Sequence, residues 1–200
     1  MSVEFLQKNA NSKPSRPGQL FYVIGPSGVG KDSLLNYARQ QLGTAPVIFA
    51  HRYITRPPEL QGENHIYLSE TEFNNRLQRG CFKFDWSSHG WQYALGNEVD
   101  MWLQQGLNVV MNGSRGYLAE ASRRHPEIIP VLITASEVNL RQRLIRRGRE
   151  TAKGIEERIQ RARAFSNLKH SNLVVIENDS TIEQAGDQLV SILWIQVGDE

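Results

Sequence analysis

Two hundred residues, 22% of them charged and with a formal net charge of +2, are enough for one domain with a full core and too nearly neutral to bind nucleic acid by their overall field. Cys81 is the only cysteine, so no intrachain disulfide is possible, and the chain suits a reducing compartment such as the cytoplasm. No apolar run approaches the roughly 20 residues of a membrane span, which removes membrane insertion from the expected functions.

In chain order, residues 1–19 are polar, carry Pro14, Pro17 and Gly18, and lack the apolar core of a signal peptide; a disordered leader is expected. Leu20–Ile24 predicts a buried strand. It runs into Gly25-Pro26-Ser27-Gly28-Val29-Gly30-Lys31-Asp32-Ser33, and Asp32–Gln41 then reads as a helix. Strand, glycine loop and helix in that order are the context of a phosphate-binding P-loop: backbone N–H groups and the helix N-terminus face the anion, and Lys31 adds a full charge. The residue after the lysine is ordinarily Ser or Thr, whose hydroxyl ligates Mg²⁺; here it is Asp32, followed by Ser33.

Val47–Ala50, Leu107–Met111, Ile128–Thr134 and Leu173–Ile176 are further short runs rich in Val and Ile, as expected of strands buried on both faces of a parallel sheet. Helices are predicted over Glu98–Gln105, Arg115–Arg123, Ser136–Arg146, Gly154–Asn167 and Thr181–Trp194, the last with Ser180 and Glu183 at capping-box spacing and Ile182, Ala185, Leu189 and Ile192 on one face. The expected architecture is a three-layer α/β P-loop fold over 20–200. Residues 51–96 break the alternation with Pro57-Pro58, Gly62, Gly80 and Gly90. They read as a small inserted subdomain with short aromatic-rich strands and a helix starting at the capping box Ser69–Glu72.

Arg141, Arg143, Arg146, Arg147, Arg149, Arg158, Arg161 and Arg163 crowd one segment, interrupted by Gly148 and Gly154. Charge runs are usually solvated faces, and Arg141 and Arg163 fit that reading. Arginine's rigid fork suits phosphate oxygens, however, and the glycines mark a loop between helices, so a phosphate lid over about 146–155 is expected.

With these motifs in order, residues 20–195 resemble the guanylate kinase-like nucleoside monophosphate kinases. The P-loop matches. Thr55-Arg56-Pro57-Pro58, Gly62-Glu63 and Tyr67 follow one acceptor segment, and Phe84-Asp85-Trp86, Gly90, Tyr93 and Gly96 a second. Arg143, Arg147-Gly148, Glu150-Thr151 and Arg158 follow the lid. The resemblance implies ATP as donor, bound by Gly25 through Ser33 with Asn178-Asp179 closing over adenine. It also implies Lys31, Arg143, Arg147 and Arg158 as catalytic cations on the transferring group.

Departures narrow it. Glu59 replaces the second acceptor arginine, and Ser114 stands where a carboxylate of the family reads guanine. His51-Arg52-Tyr53-Ile54-Thr55-Arg56, Glu63-Asn64-His65 and Asn112-Gly113-Ser114-Arg115, together with Asp32, resemble a narrower family, the ribose 1,5-bisphosphate phosphokinases of bacterial phosphonate catabolism, which make 5-phosphoribosyl 1-diphosphate from ATP. That resemblance implies a small sugar bisphosphate as acceptor. Arg52, Arg56 and Arg115 are expected on its phosphates, His51 and His65 on phosphate or hydroxyls, and Tyr67, Asp85 and Ser114 alongside. Trp86 and Tyr93 are divided between site and core, and His89 reads as an ordinary loop residue.

Asp32 is expected to hold Mg²⁺, a carboxylate moved to the P-loop while the strand end becomes Asn112; the competing reading is a helix N-terminal preference with Ser33 serving the metal. Two other functions stay open. One is a guanylate kinase, which a carboxylate at Asp85 would suit. The other is a non-catalytic guanylate kinase-like binding module. Nucleic acid binding is disfavoured because the arginine segment lacks interleaved aromatics.

Overall fold

A computed structural model describes residues 16–58, 65–148, 151–163 and 168–194. Five strands form a wholly parallel sheet: β1 (Leu20–Ile24), β2 (Val47–Phe49), β7 (Asn108–Asn112), β8 (Ile129–Thr134) and β9 (Val174–Glu177), in the order β2-β7-β1-β8-β9. Side chains alternate across a strand, and β1 divides accordingly. Leu20, Tyr22 and Ile24 join one apolar layer, and Phe21 and Val23 join the other.

The second layer is covered by α1 (Lys31–Leu42), whose Leu34, Ala38 and Leu42 are buried, and by α7 (Ile182–Trp194), whose Ala185, Leu189 and Leu193 are buried. That spacing of four puts each set on one helix face. Ile182, predicted on the core face of α7, is exposed. The cap also lies one residue later than the sequence spacing suggests: Gln184 N donates to Thr181 Oγ1 at 3.3 Å. The opposite layer is covered by α3 (Glu98–Gln104), and by a 3₁₀ turn (Arg115–Tyr117) running into α4 (Leu118–Arg124), where one helix was expected.

Between β2 and β7 the chain builds a four-stranded sheet, β4-β3-β6-β5, from β3 (Tyr53–Ile54), β4 (Ile66–Tyr67), β5 (Phe82–Ser88) and β6 (Trp91–Gly96). It carries α2 (Glu70–Gln78), capped by Ser69, which accepts from Glu72 N at 3.2 Å. The lid segment is a helix pair, α5 (Glu137–Arg147) and α6 (Ala152–Arg163), closed by Leu140, Leu144, Ile155 and Ile159.

Gly18 and Gln19, assigned by sequence to the leader, are tied to the fold: Gly18 N donates to Leu103 O at 2.8 Å and Gln19 N to Asn108 Oδ1 at 2.9 Å. The rest of the leader up to residue 15, the motif residues Glu59, Gly62, Glu63, Asn64, Arg149 and Glu150, and the predicted helix end at 164–167 lie outside the described residues. Among the described residues, no helix is long and apolar enough to cross a membrane.

Candidate active site

The carboxyl ends of the main strands open into a cavity of about 820 Å³. Gly25, Pro26, Ser27, Lys31 and Asp32 line it from the P-loop, and Asn112, Gly113, Ser114 and Arg115 from the end of β7. The small sheet contributes Arg52, Arg56, Trp86 and Tyr93, and the lid helices Arg147, Arg158 and Arg161. Among the described residues, seven lining side chains are therefore cationic, against the one carboxylate of Asp32. Such a balance selects polyanions.

The donor side is built on backbone. Gly28 and Gly30 have φ of +88° and +96°, a region that L side chains rarely adopt. A Cβ on Gly30 would also lie 2.5 Å from Asn178 Nδ2. That amide, buried, donates to Val29 O at 2.7 Å. Arg143 clamps the same region from α5, Nη1 donating to Val29 O at 3.0 Å and Nη2 to Asn178 O at 2.7 Å. Arg143 and Asn178 thus stand behind the loop, outside the cavity lining, as do Gly28, Val29, Gly30 and Ser33. Asp179 accepts from Ser136 N at 2.8 Å and Asn139 Nδ2 at 2.9 Å, joining the end of β9 to the start of α5.

Asp32 lies on the cavity, with Asn112 Nδ2 donating to its Oδ1 at 3.4 Å. The carboxylate of the P-loop and the amide at the strand end are therefore neighbours. Among the described residues no group of three or more His, Cys, Asp or Glu could hold a metal. One carboxylate fits Mg²⁺, which protein sites usually hold through one or two carboxylates, phosphate oxygens and water.

The acceptor side is built on long side chains. Buried Tyr22 on β1 anchors the segment after β7, its hydroxyl donating to Ser114 O and accepting from Ser114 N, both at 2.9 Å. Burial pushes this phenol's pKa up, so the hydroxyl keeps its proton. Gly113 is required here because a Cβ would overlap the Tyr22 ring. Arg115, half-buried, follows directly; burial, and then the charge of Arg161, push its pKa down to about 10, so it remains charged at neutral pH.

On β5, Phe84 and Trp86 face the core and the cavity side while Asp85 faces away, as strand alternation demands. Trp86 stacks on Tyr93, with ring centroids 5.5 Å apart and planes 5° apart, and on Tyr117 at 5.4 Å. Arg52 lies beside the Trp86–Tyr93 pair, 5.1 Å from the Tyr93 ring and 6.0 Å from the Trp86 ring, and Arg124 lies over Tyr117 at 6.0 Å. Trp86 and Tyr93 therefore serve core and cavity at once.

Asp85 is paired with Arg124 at 3.2 Å and does not line the cavity. Nor do His51, His65 and Tyr67: His65 Nε2 bonds Arg56 O at 2.9 Å, and Tyr67 is exposed on β4.

The arginine segment divides by direction. Arg141 pairs with Glu156 at 2.7 Å, and Arg163 Nη2 with Glu137 at 2.6 Å, bracing α5 against α6 on the outside. Arg147, Arg158 and Arg161 reach the cavity. Sequence reasoning gave Arg161 no role, although its spacing of three from Arg158 puts both on one helix face. It also passed over Ser88 and Trp91 and read His89 as an ordinary loop residue, whereas all three line the cavity around the β5–β6 turn; His89 has φ of +50°. No sequence pattern marks a turn as cavity wall.

A family model for guanylate kinase matches residues 18–196. Ribose 1,5-bisphosphate phosphokinase PhnN of Psychromonas ingrahamii is 63% identical over 180 residues, 90% of this chain and 91% of that protein. The protein of the same name from Thiobacillus denitrificans is 52% identical over 177 residues, 88% of this chain and 93% of that protein. The crystal structure of guanylate kinase from Anaplasma phagocytophilum superposes with a TM-score of 0.65 at 16% identity, covering 92% of this chain and 88% of that one, a likeness of fold.

Proposed function

The chain belongs to the guanylate kinase family, and we propose that within it the protein is a ribose 1,5-bisphosphate phosphokinase, moving the γ-phosphoryl of ATP onto the 1-phosphate of ribose 1,5-bisphosphate to give 5-phosphoribosyl 1-diphosphate and ADP. An oxygen of the 1-phosphate forms the new bond to the γ-phosphorus as the bond to the β-bridging oxygen breaks. That acceptor is a phosphate monoester with a second pKa of about 6, so it is already anionic and needs no general base. Catalysis is then positioning and charge neutralisation.

Lys31 and the P-loop orient the donor phosphates, Arg147 and Arg158 neutralise the transferring group, and Arg52, Arg56 and Arg115 hold the acceptor. Arg143 and Asn178 act through the P-loop backbone they anchor. Mg²⁺ beside Asp32 would supply charge neutralisation on the donor phosphates. A reducing, ATP-containing compartment, the cytoplasm, suits this chemistry and the exposed thiol of Cys81.

The observation that carries the reading is a cavity lined, among the described residues, by seven cations and one carboxylate, with Asp85 paired to Arg124 outside it. A guanine base in the cavity would not meet the carboxylate of Asp85. The test is incubation of the purified protein with ATP, Mg²⁺ and ribose 1,5-bisphosphate, ribose 5-phosphate, GMP or AMP, with products read by phosphorus NMR. A diphosphate at C1 is expected from the bisphosphate alone; GDP as the main product would refute the reading.

A further inference from the structure

We propose that Arg161 on α6 and Arg115 at the end of β7 form a second phosphate subsite, which holds the non-reacting phosphate of the sugar bisphosphate. This rests on the functional reading above and adds to it the group that separates a bisphosphate from a monophosphate acceptor.

The sheet order supplies the direction. Along its carboxyl edge the strand ends run β2, β7, β1, β8, β9. The P-loop follows β1, and the segment of Asn178 and Asp179 follows β9, two strands to one side. Arg115 follows β7, one strand to the other side, toward β2 and the small sheet that β2 leads into. Ligands of open α/β sheets sit at this edge, so anything held by Arg115 lies on the acceptor side of the P-loop.

Arg161 comes to the same cavity from the lid, one helical turn beyond Arg158. Its Nε donates to Glu157 O at 3.2 Å, which holds the side-chain stem along α6. One helix thereby offers two guanidinium groups to the cavity, from Cα positions about 4.5 Å apart along its axis. Arg158 serves the transferring group; Arg161 is the one whose charge is felt by Arg115.

Two arginine forks converging on one cavity offer paired donors to the oxygens of a single phosphate. A phosphate monoester carries about −1.5 to −2 at neutral pH and accepts paired hydrogen bonds from arginine forks. A nucleoside monophosphate has one such group, which the transfer itself occupies. The sugar bisphosphate has a second, and the Arg115–Arg161 pair is the receptor for it.

The test compares wild type with Arg161→Gln and Arg161→Lys in the full chain. Binding of ribose 1,5-bisphosphate, ribose 1-phosphate and ATP is measured by calorimetry, alongside steady-state kinetics. Wild type is expected to bind the bisphosphate at least about 100-fold more tightly than ribose 1-phosphate. Arg161→Gln should shrink that ratio about tenfold or more, with melting temperature and KM for ATP unchanged, and Arg161→Lys should restore part of it. Arg115→Gln should shrink the same ratio, and the double variant should cost less than the sum of the two.

An unchanged ratio in Arg161→Gln, or a loss that falls on ATP instead, overturns the subsite. Failure of wild type itself to phosphorylate the bisphosphate would overturn the functional reading, a distinct result from equal use of it by wild type and Arg161→Gln.

Discussion

The donor and acceptor halves of the cavity meet at Lys31 and are made by different means. On the donor side the binding groups are main-chain amides, and the side chains that matter, Arg143 and Asn178, grip Val29 O and never reach the cavity. On the acceptor side the binding groups are arginines on long stems, held by an aromatic stack and by one phenol beneath Gly113. Backbone geometry admits few sequences, whereas side chains can be exchanged one at a time. A kinase fold can therefore keep its triphosphate grip while its acceptor changes; here Asp85 is turned outward against Arg124.

The sharpest way to break this division is at its boundary. Lys31→Ala should lower kcat on the order of 10³-fold with every acceptor, with the circular dichroism spectrum and melting temperature retained. A loss confined to one acceptor would mean that Lys31 belongs to the acceptor half.

Next in size is the floor of the acceptor side. Tyr22→Phe removes both hydrogen bonds to Ser114 and, at about 1 kcal/mol each, should lower stability by about 2 kcal/mol in denaturant titrations. It should raise KM for the sugar bisphosphate about tenfold while KM for ATP holds. Equal increases for both substrates would dissolve the distinction between the halves. Gly113→Ala forces a Cβ into the Tyr22 ring and should cost about 1–3 kcal/mol with the same substrate asymmetry.

The donor half contains one position where its chemistry has been altered. Asp32→Asn should raise the Mg²⁺ concentration for half-maximal activity about tenfold and weaken Mg²⁺-dependent quenching of a fluorescent ATP analogue to a similar degree. An unchanged Mg²⁺ dependence in both would assign Asp32 to the helix N-terminus and the metal to Ser33.

The smallest effect is expected at the carboxylate that would suit guanine but is turned away from the cavity. Asp85→Asn breaks only a half-exposed pair with Arg124 and should change stability by less than about 1 kcal/mol, with unaltered kinetics for the bisphosphate. A fall in a measurable GMP activity would instead return Asp85 to the site.

Legibility in the sequence follows the same line. The P-loop was legible because strand, glycines and helix are contiguous: Gly28 and Gly30 take positive φ, and a Cβ on Gly25 would lie 2.6 Å from Ile133 O. The parallel sheet was legible because strands covered on both faces read as unbroken apolar runs. Arg161, the direction of Asp85 and the anchoring by Tyr22 were not. A run of arginines carries no record of which face of a helix meets a cavity. A carboxylate between Phe84 and Trp86 reads as a base partner until the alternation of β5 turns it away. Tyr22 lies 92 residues from Ser114, and only folding brings the phenol under the loop.

The central claim is an acceptor half suited to a doubly phosphorylated sugar beside a P-loop donor half. It is tested most directly by the ratio of kcat/KM for ribose 1,5-bisphosphate to that for GMP, at one saturating concentration of ATP and Mg²⁺. The account predicts a ratio of at least about 10⁴, the scale on which a site rejects a ligand that leaves its buried polar groups unpaired. A ratio near one, or below it, would contradict it.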